Sequence, residues 1–174
     1  MGKRSNFERK SRDFYATIDP IAVEVLAPYV QGLSFVEPCA GNGKLAQDLI
    51  EKANCVNVGM CDIEPGLPSI ARKSCLELEI QDTYGASVFI TNPPFSWPML
   101  QPILDHLPTL LPTWLLLPAD NLHNKRMGKY MAKCDLVVSV GRLYWMDNKI
   151  KGVDNYCWYR FTDIPQKTVF IGRT

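Results

Sequence analysis

Short apolar runs alternate with amphipathic stretches along the whole chain. "LSFVEP", "CVNVGMCDI", "SVFITN", "TWLLLPA", "DLVVSVGRLYW", "NYCWYRFTD" and "KTVFIGR" predict strands. Several of these are apolar with little alternation, as expected of strands covered on both faces. "IDPIAVEVLAPYV" predicts a helix with Asp19 as N-cap and Pro20 at its first position. "NGKLAQDLIEKA" places Leu45, Leu49 and Ile50 at helical spacing. "WPMLQPILDHLPTLL" is helical in period but punctured by Pro98, Pro102 and Pro108, and "NKRMGKYMAKC" predicts a further helix. "LPSIARKSC" predicts a short helix or turn, and "CLELEI" a short strand. Strand and helix alternate from end to end, which implies an α/β fold: a doubly wound, mostly parallel sheet. The last segments have no helix between them and are expected to pair as an antiparallel hairpin near the sheet edge. In the aromatic-rich strand, Tyr156, Trp158 and Arg160 alternate with Cys157, Tyr159 and Phe161, and one of these faces is expected to be core.

No composition shift marks a second domain. Residues 13–174 read as a single domain of a size that supports one hydrophobic core. No apolar run approaches the roughly 20 residues needed to span a bilayer, so no membrane association is expected. "MGKRSNFERKSRDFY" has no apolar segment behind its charges and does not read as a secretory signal. Six cysteines form no CxxC pair and only two histidines accompany them. That pattern predicts reduced thiols in the cytoplasm and no metal site. Net charge is +1, but its distribution is uneven. Residues 1–12 read as a flexible basic arm, and "HNKRMGKYMAK" supplies Lys125, Arg126, Lys129 and Lys133. Either cluster is a solvated face or a holder of phosphates.

Chemistry concentrates at the strand ends. After "LSFVEP" comes "CAGNGKL", where Gly41 and Gly43 sit at a sharp strand-to-helix turn. The third glycine of a dinucleotide fingerprint is missing, since Ala46 stands there, and Lys44 is followed by Leu45, unlike a P-loop. The acidic Glu37, before Pro38, would repel a pyrophosphate and suit a cationic amine. The next strand ends in "CDIEP", where a carboxylate can accept both hydroxyls of a ribose; Asp62 is the first candidate and Glu64 the second. Asp82 in "QDTY" could accept from the exocyclic amine of an adenine.

"VEPCAGNG", "CDIEP", "QDTY" and "ITNPPF", in this order, resemble the class I S-adenosylmethionine-dependent methyltransferases. More narrowly they resemble the amino-group methyltransferases, whose signature is D/N/S-P-P-Y/F. "RDFYATIDP" resembles the motif that precedes the glycine loop in that family. The resemblance implies a Rossmann-like methyltransferase fold and S-adenosyl-L-methionine as cofactor. Glu37, Pro38, and backbone around Ala40, Gly41 and Gly43 would hold its aminocarboxypropyl part. Asp62 would hold the ribose, Ile63 would lie against the adenine, and Asp82 and Thr83 would meet its edge. Tyr15 and Thr17 would close over the methionine.

The stretch "VFITNPPFSWP" then acquires a purpose. Two consecutive prolines can continue neither a helix nor a central strand, so the strand must end in a rigid turn. An exocyclic amine on an aromatic base is a poor nucleophile, because its lone pair is delocalised. Asn92 and the Pro93 carbonyl, held rigid by Pro94, would accept both N–H hydrogens and free that lone pair. Phe95 would stack on the base, which must first be flipped out of a duplex. Within the family resembled, Asn rather than Ser at the first position leans from cytosine toward adenine, and the Asp-Phe-Tyr stretch resembles the adenine enzymes, so the resemblance implies adenine-N6 in DNA. "DNYCWYRF" resembles the end of compact adenine methyltransferases of phage or prophage type, which would place the protein in a bacterial or phage-infected cell. The signature also serves RNA bases and protein glutamine, and a non-catalytic cofactor- or nucleic-acid-binding subunit is the reading from outside enzymology. No separate target-recognition domain is expected within these residues. Selectivity is then expected to be weak, to come from the short loops at 96–101 and 122–128, or to come from a protein partner or homodimer. Lys125, Arg126 and Lys129 are the expected phosphate contacts, and Tyr156 is either a base contact or core.

Overall fold

The computed structural model describes residues 16–173. The basic arm at 1–12 and Tyr15 lie outside the described residues. Eight strands form one sheet in the order β3-β2-β1-β4-β5-β7-β6-β8. The strands are β1 (Ser34–Glu37), β2 (Val56–Asp62), β3 (Ala71–Arg72), β4 (Val88–Thr91), β5 (Thr113–Pro118), β6 (Cys134–Arg142), β7 (Asn155–Phe161) and β8 (Val169–Ile171). β7 is antiparallel to both β5 and β6, and all other pairings are parallel. The expected hairpin is therefore β6–β7. β8 does not join it; it passes β7 and pairs parallel to β6 at the sheet edge.

Helices α1 (Ile21–Val30) and α2 (Lys44–Ala53) cover one face of the sheet, and α3 (Trp97–Leu110) and the single turn α4 (Gly128–Met131) the other. Both faces of the central strands are consequently buried. In β5, Trp114 and Leu116 face the first layer, and Leu115 and Leu117 the second. In β7, Tyr156 and Trp158 lie on one side and Cys157, Tyr159 and Phe161 on the other. The expectation of a single core face for β7 fails because the strand lies between β5 and β6, where helices cover both sides. The Trp158 indole donates to the Ala22 carbonyl at 2.7 Å, pinning α1 to the sheet.

Four local expectations change. α1 begins one residue later than expected, with Pro20 at its N-cap; Asp19 still accepts from the Ile21 N–H at 3.2 Å and ties the helix start to the Tyr144 N–H at 3.3 Å. "LPSIARKSC" takes the turn, not the helix, of the two forms expected, closed by the Ile70 N–H donating to the Leu67 carbonyl at 3.1 Å, and then adds the unexpected two-residue β3. "CLELEI" is not a strand but a 3₁₀ turn at Cys75–Glu77, begun by a Ser74/Glu77 capping box that is visible in the sequence as S-x-x-E. "NKRMGKYMAKC" divides into a 3₁₀ turn at Lys125–Met127 and α4, parting at Gly128, a residue with little helix propensity. The punctured helix, in contrast, is continuous. Pro98 falls in the first turn, where no N–H is needed, and burial of Leu100, Ile103, Leu104 and Leu107 offsets the bonds lost at Pro102 and Pro108.

Candidate functional site at the carboxyl edge of the sheet

The parallel strands β1, β2, β4 and β5 all end at one edge, and the connections that follow them meet there. The chain turns from β1 into α2 through Gly41 and Gly43, whose φ angles of 53° and 76° lie in the left-handed region that glycine adopts without strain. Gly43 caps α2 and donates to the Ala40 carbonyl at 2.7 Å. Asp62, at the end of β2, fastens this loop to the next. Its Oδ2 accepts from the Gly41 N–H at 2.8 Å, and its Oδ1 from the Glu64 N–H at 2.8 Å. The turn after β2 closes on the same loop, with Gly66 donating to the Gly41 carbonyl at 2.7 Å. A Cβ on Gly66 would stand 3.0 Å from that carbonyl oxygen, so the two backbones meet because residue 66 has no side chain. The sequence reading did not single out Gly66; its signal was the Pro65-Gly66 turn beside an acidic strand end.

A cavity of about 260 Å³ opens between these loops. Following the strand order across the edge, β4 supplies Asn92 and Pro94, β1 supplies Glu37 to Gly41, and β2 supplies Asp62, Ile63 and Glu64. Thr17 closes one side, with Ser74, Cys75 and Leu76 and the α3 residues Met99 and Ile103 completing the wall. Glu37 is 2 % exposed and accepts from the Ala46 N–H in α2 at 3.0 Å. Burial raises its carboxyl well above the usual range; the Ala46 bond opposes this, and the charge of Asp62 adds to it. A cation entering beside Glu37 would favour its ionised form against that burial. The side-chain oxygen of Asn92 is buried at the wall.

Of the residues predicted from sequence, Thr17, Glu37, Pro38, Ala40, Gly41, Asp62, Ile63, Asn92 and Pro94 line this one cavity. Gly43 and Pro93 are buried just outside it, shaping the turns. Asp82 and Thr83 do not line it. Lys73 pairs with Asp82 at 2.9 Å and holds its carboxyl below the usual range, helped by the Glu79 N–H. The Thr83 hydroxyl donates to the Ile80 carbonyl at 2.7 Å. The segment at 74–76, which sequence reasoning missed, occupies the wall instead.

Phe95 is half-buried and packs against Trp145 and Tyr156, with ring centroids 6.3 Å and 5.7 Å away. Tyr156 is only 7 % exposed, so it belongs to the support beneath the Asn-Pro-Pro-Phe turn. Lys125 and Arg126 are exposed on the connection after β5. The Arg126 guanidinium lies 4.5 Å over the Trp97 ring, the first residue of α3 and two past Phe95. Lys129 is 62 % exposed and pairs with Asp105 at 3.1 Å.

No protein-family model and no curated protein matches the sequence. Solved structures do match the fold. A provisionally assigned class I S-adenosylmethionine-dependent methyltransferase from Listeria monocytogenes superposes with a TM-score of 0.56 at 12% identity, covering 95% of this chain and 67% of that one. A type I restriction-modification system methyltransferase subunit from Streptococcus thermophilus gives 0.55 at 12% identity, covering 85% of this chain but 44% of its own. A provisionally assigned RNA methyltransferase from Pyrococcus horikoshii gives 0.51 at 13% identity, over 86% and 83%. The chain has the Rossmann-like fold of the class I methyltransferases.

Proposed function

We propose that the cavity binds S-adenosylmethionine and that the protein transfers methyl groups to the exocyclic amino nitrogen of adenine in DNA. The observation that carries this reading is that Asn92 and Pro94 share one cavity wall with Glu37, Gly41 and Asp62. The residues present fit the cofactor. A buried carboxylate at Glu37 suits an ammonium group, the Asp62 carboxylate suits a diol, and Ile63 and Leu76 offer an apolar surface for a flat base. The bound cofactor supplies an electrophilic methyl group on a sulfonium. Everything else falls to the chain. The Asn92 Oδ1 and the Pro93 carbonyl accept the two N–H hydrogens of the amine and turn its nitrogen toward tetrahedral geometry. No strong base is needed, because the methylated cationic product sheds its proton readily. Phe95, braced by Trp145 and Tyr156, is the surface against which a flipped base stacks.

Adenine is favoured as the base by the resemblance that Asn at the first position of the motif carries, and a nucleic acid as the polymer by Lys125, Arg126 and Lys129 beside α3 on the same edge. Such contacts hold phosphates and carry no sequence information. Incubation with tritiated cofactor and, in parallel, duplex DNA, RNA and glutamine-bearing protein tests the assignment. Label entering DNA adenine is the expected result; faster labelling of RNA or protein, or of nothing, overturns it.

A further inference from the structure

The loop at 143–154, between β6 and β7, stands beside the site. β6 and β5 are both antiparallel to β7, so the loop leaves the sheet at the carboxyl edge. Arg142 pairs there with Asn155, and Tyr156 with Pro118, the last residue of β5. The base of the loop is braced. The Gly152 N–H donates to the Leu143 carbonyl at 2.8 Å, and the Tyr144 N–H to Asp19 at 3.3 Å. The Trp145 ring lies 5.0 Å from Tyr156 and 6.3 Å from Phe95. The tip is shaped by its own bonds. The Lys149 N–H, at a φ of 55°, donates to the Met146 carbonyl at 3.0 Å, and the Ile150 N–H to the Asn148 side-chain oxygen at 3.1 Å.

This tip carries Lys149, Ile150 and Lys151, all exposed. Ile150 is 67 % exposed, and Met146 and Val153 on the same loop are exposed with it. Apolar side chains gathered in water on one loop mark a surface that meets a partner. Among the described residues, Lys149 and Lys151 enter no ion pair, whereas Lys129 and Lys133 are paired with Asp105 and Asp163. Asp147 and Asp154 balance the two lysines in net charge. The loop is therefore no general cationic patch; its cations stand on either side of one apolar side chain. Two more lie at its foot. Arg142 is exposed at the end of β6, and the exposed Arg173 lies over Gly141, where a Cβ would stand 2.8 Å from its guanidinium. Phe95 packs against both helix layers, with Trp97, Met127 and Tyr130 in the α3 and α4 layer and Leu143, Trp145 and Tyr156 in the other. The Asn-Pro-Pro-Phe turn thus sits between two exposed basic segments, one after β5 and one between β6 and β7.

We propose that the loop at 143–154 is the second arm of a clamp on duplex DNA: Lys149 and Lys151 hold phosphates of the strand opposite the target adenine, and Ile150 enters the stack where the flipped base has left. This deepens the reading of the site as an adenine methyltransferase and rests on it. Lys125 and Arg126 hold the target strand on the other side of Phe95. An apolar wedge replaces part of the stacking that flipping breaks, and the cations beside it fix the backbone. A single strand has no gap to fill and no second backbone to hold, so the contribution of the loop is confined to duplex. A lipid surface would take the same side chains; the packing of Trp145 on Phe95 favours the polymer, because it ties the loop to the turn that receives the base.

The full-length protein, the double variant Lys149→Gln with Lys151→Gln, and Ile150→Ser are compared on a fluorescein-labelled, adenine-containing duplex and on its single strand. Anisotropy across a salt series reads binding, and tritiated cofactor reads methyl transfer to each form. In the double variant the plot of log affinity for duplex against log salt should be shallower by about two, one for each lysine, with single-strand binding unchanged. Ile150→Ser should keep duplex affinity nearly intact and slow duplex methylation about tenfold, while single-strand methylation stays at the wild-type rate. That single-strand rate also reports that each variant is folded. Equal losses on duplex and single strand, or no loss on either, overturn the clamp. So does binding to anionic vesicles that the double variant abolishes while its DNA binding is untouched. Wild-type protein that methylates neither form overturns the adenine reading and the role of Ile150 with it, while the salt slopes still decide the lysines.

Discussion

Replacing Asp62 by alanine removes two interactions at once. In the structure its carboxylate takes the Gly41 N–H on one oxygen and the Glu64 N–H on the other, both at 2.8 Å. A hydrogen bond to a charged group contributes about 1.5 kcal/mol at the low end, and water can reach the freed N–H groups on this half-exposed wall, so the pair together is worth about 2 kcal/mol of stability. The same carboxylate is the proposed acceptor for the ribose hydroxyls, and its loss should weaken cofactor binding on the order of 2 kcal/mol, roughly thirtyfold in Kd. Asp62→Asn is the sharper probe. Its amide has one acceptor and one donor where the site presents two donors, so it should fall nearer to alanine than to wild type in both measurements. Urea denaturation reads the first quantity and calorimetry the second. Lost stability with intact affinity would leave Asp62 as a clasp between loops and remove it from the ribose site. Unchanged values for both would refute the reasoning at its root.

Glu37→Gln should raise stability at neutral pH in the absence of ligand while weakening cofactor binding. The native carboxyl holds its proton more tightly than the unfolded one, so wild-type stability is fully present below the ordinary carboxyl range and falls as pH rises toward the raised native value, whereas the glutamine variant lacks this decline. Melting curves across that pH range check it, and a variant that is less stable at neutral pH with the wild-type slope counts against it. Charge reversal at Lys125 and Arg126 should raise KM for DNA more than it lowers kcat, similarly across sequences and with a shallower salt dependence; unchanged DNA affinity at low salt would leave these side chains as a solvated surface.

Much of this fold is legible in the sequence because its strands are read by local apolarity. β1, β2, β4, β5, β6 and β7 all fall where apolar runs predict them. What fails is set by tertiary context. β8 is short and exposed, and nothing local dictates that it passes β7 to pair with β6. The double-faced burial of β7 follows from its place between β5 and β6, which only the completed sheet defines. Among site residues, the positions at strand ends, such as Glu37, Asp62 and Asn92, meet at one cavity because parallel strands deliver their ends to one edge. Asp82 is different. It lies in a connection, and its environment is decided by Lys73, nine residues away, which no periodicity reveals.

The central claim is that Asn92 directs methyl transfer to the adenine amino group. Its most direct test is to incubate unmethylated duplex DNA and S-adenosylmethionine with wild-type protein and with Asn92→Ala, digest to nucleosides, and identify the products by mass spectrometry, with calorimetry of both proteins alongside. The account predicts N6-methyldeoxyadenosine from wild type, none from the variant, and equal cofactor affinity for the two. A variant that methylates at the wild-type rate, or a wild-type product other than N6-methyldeoxyadenosine, would contradict it.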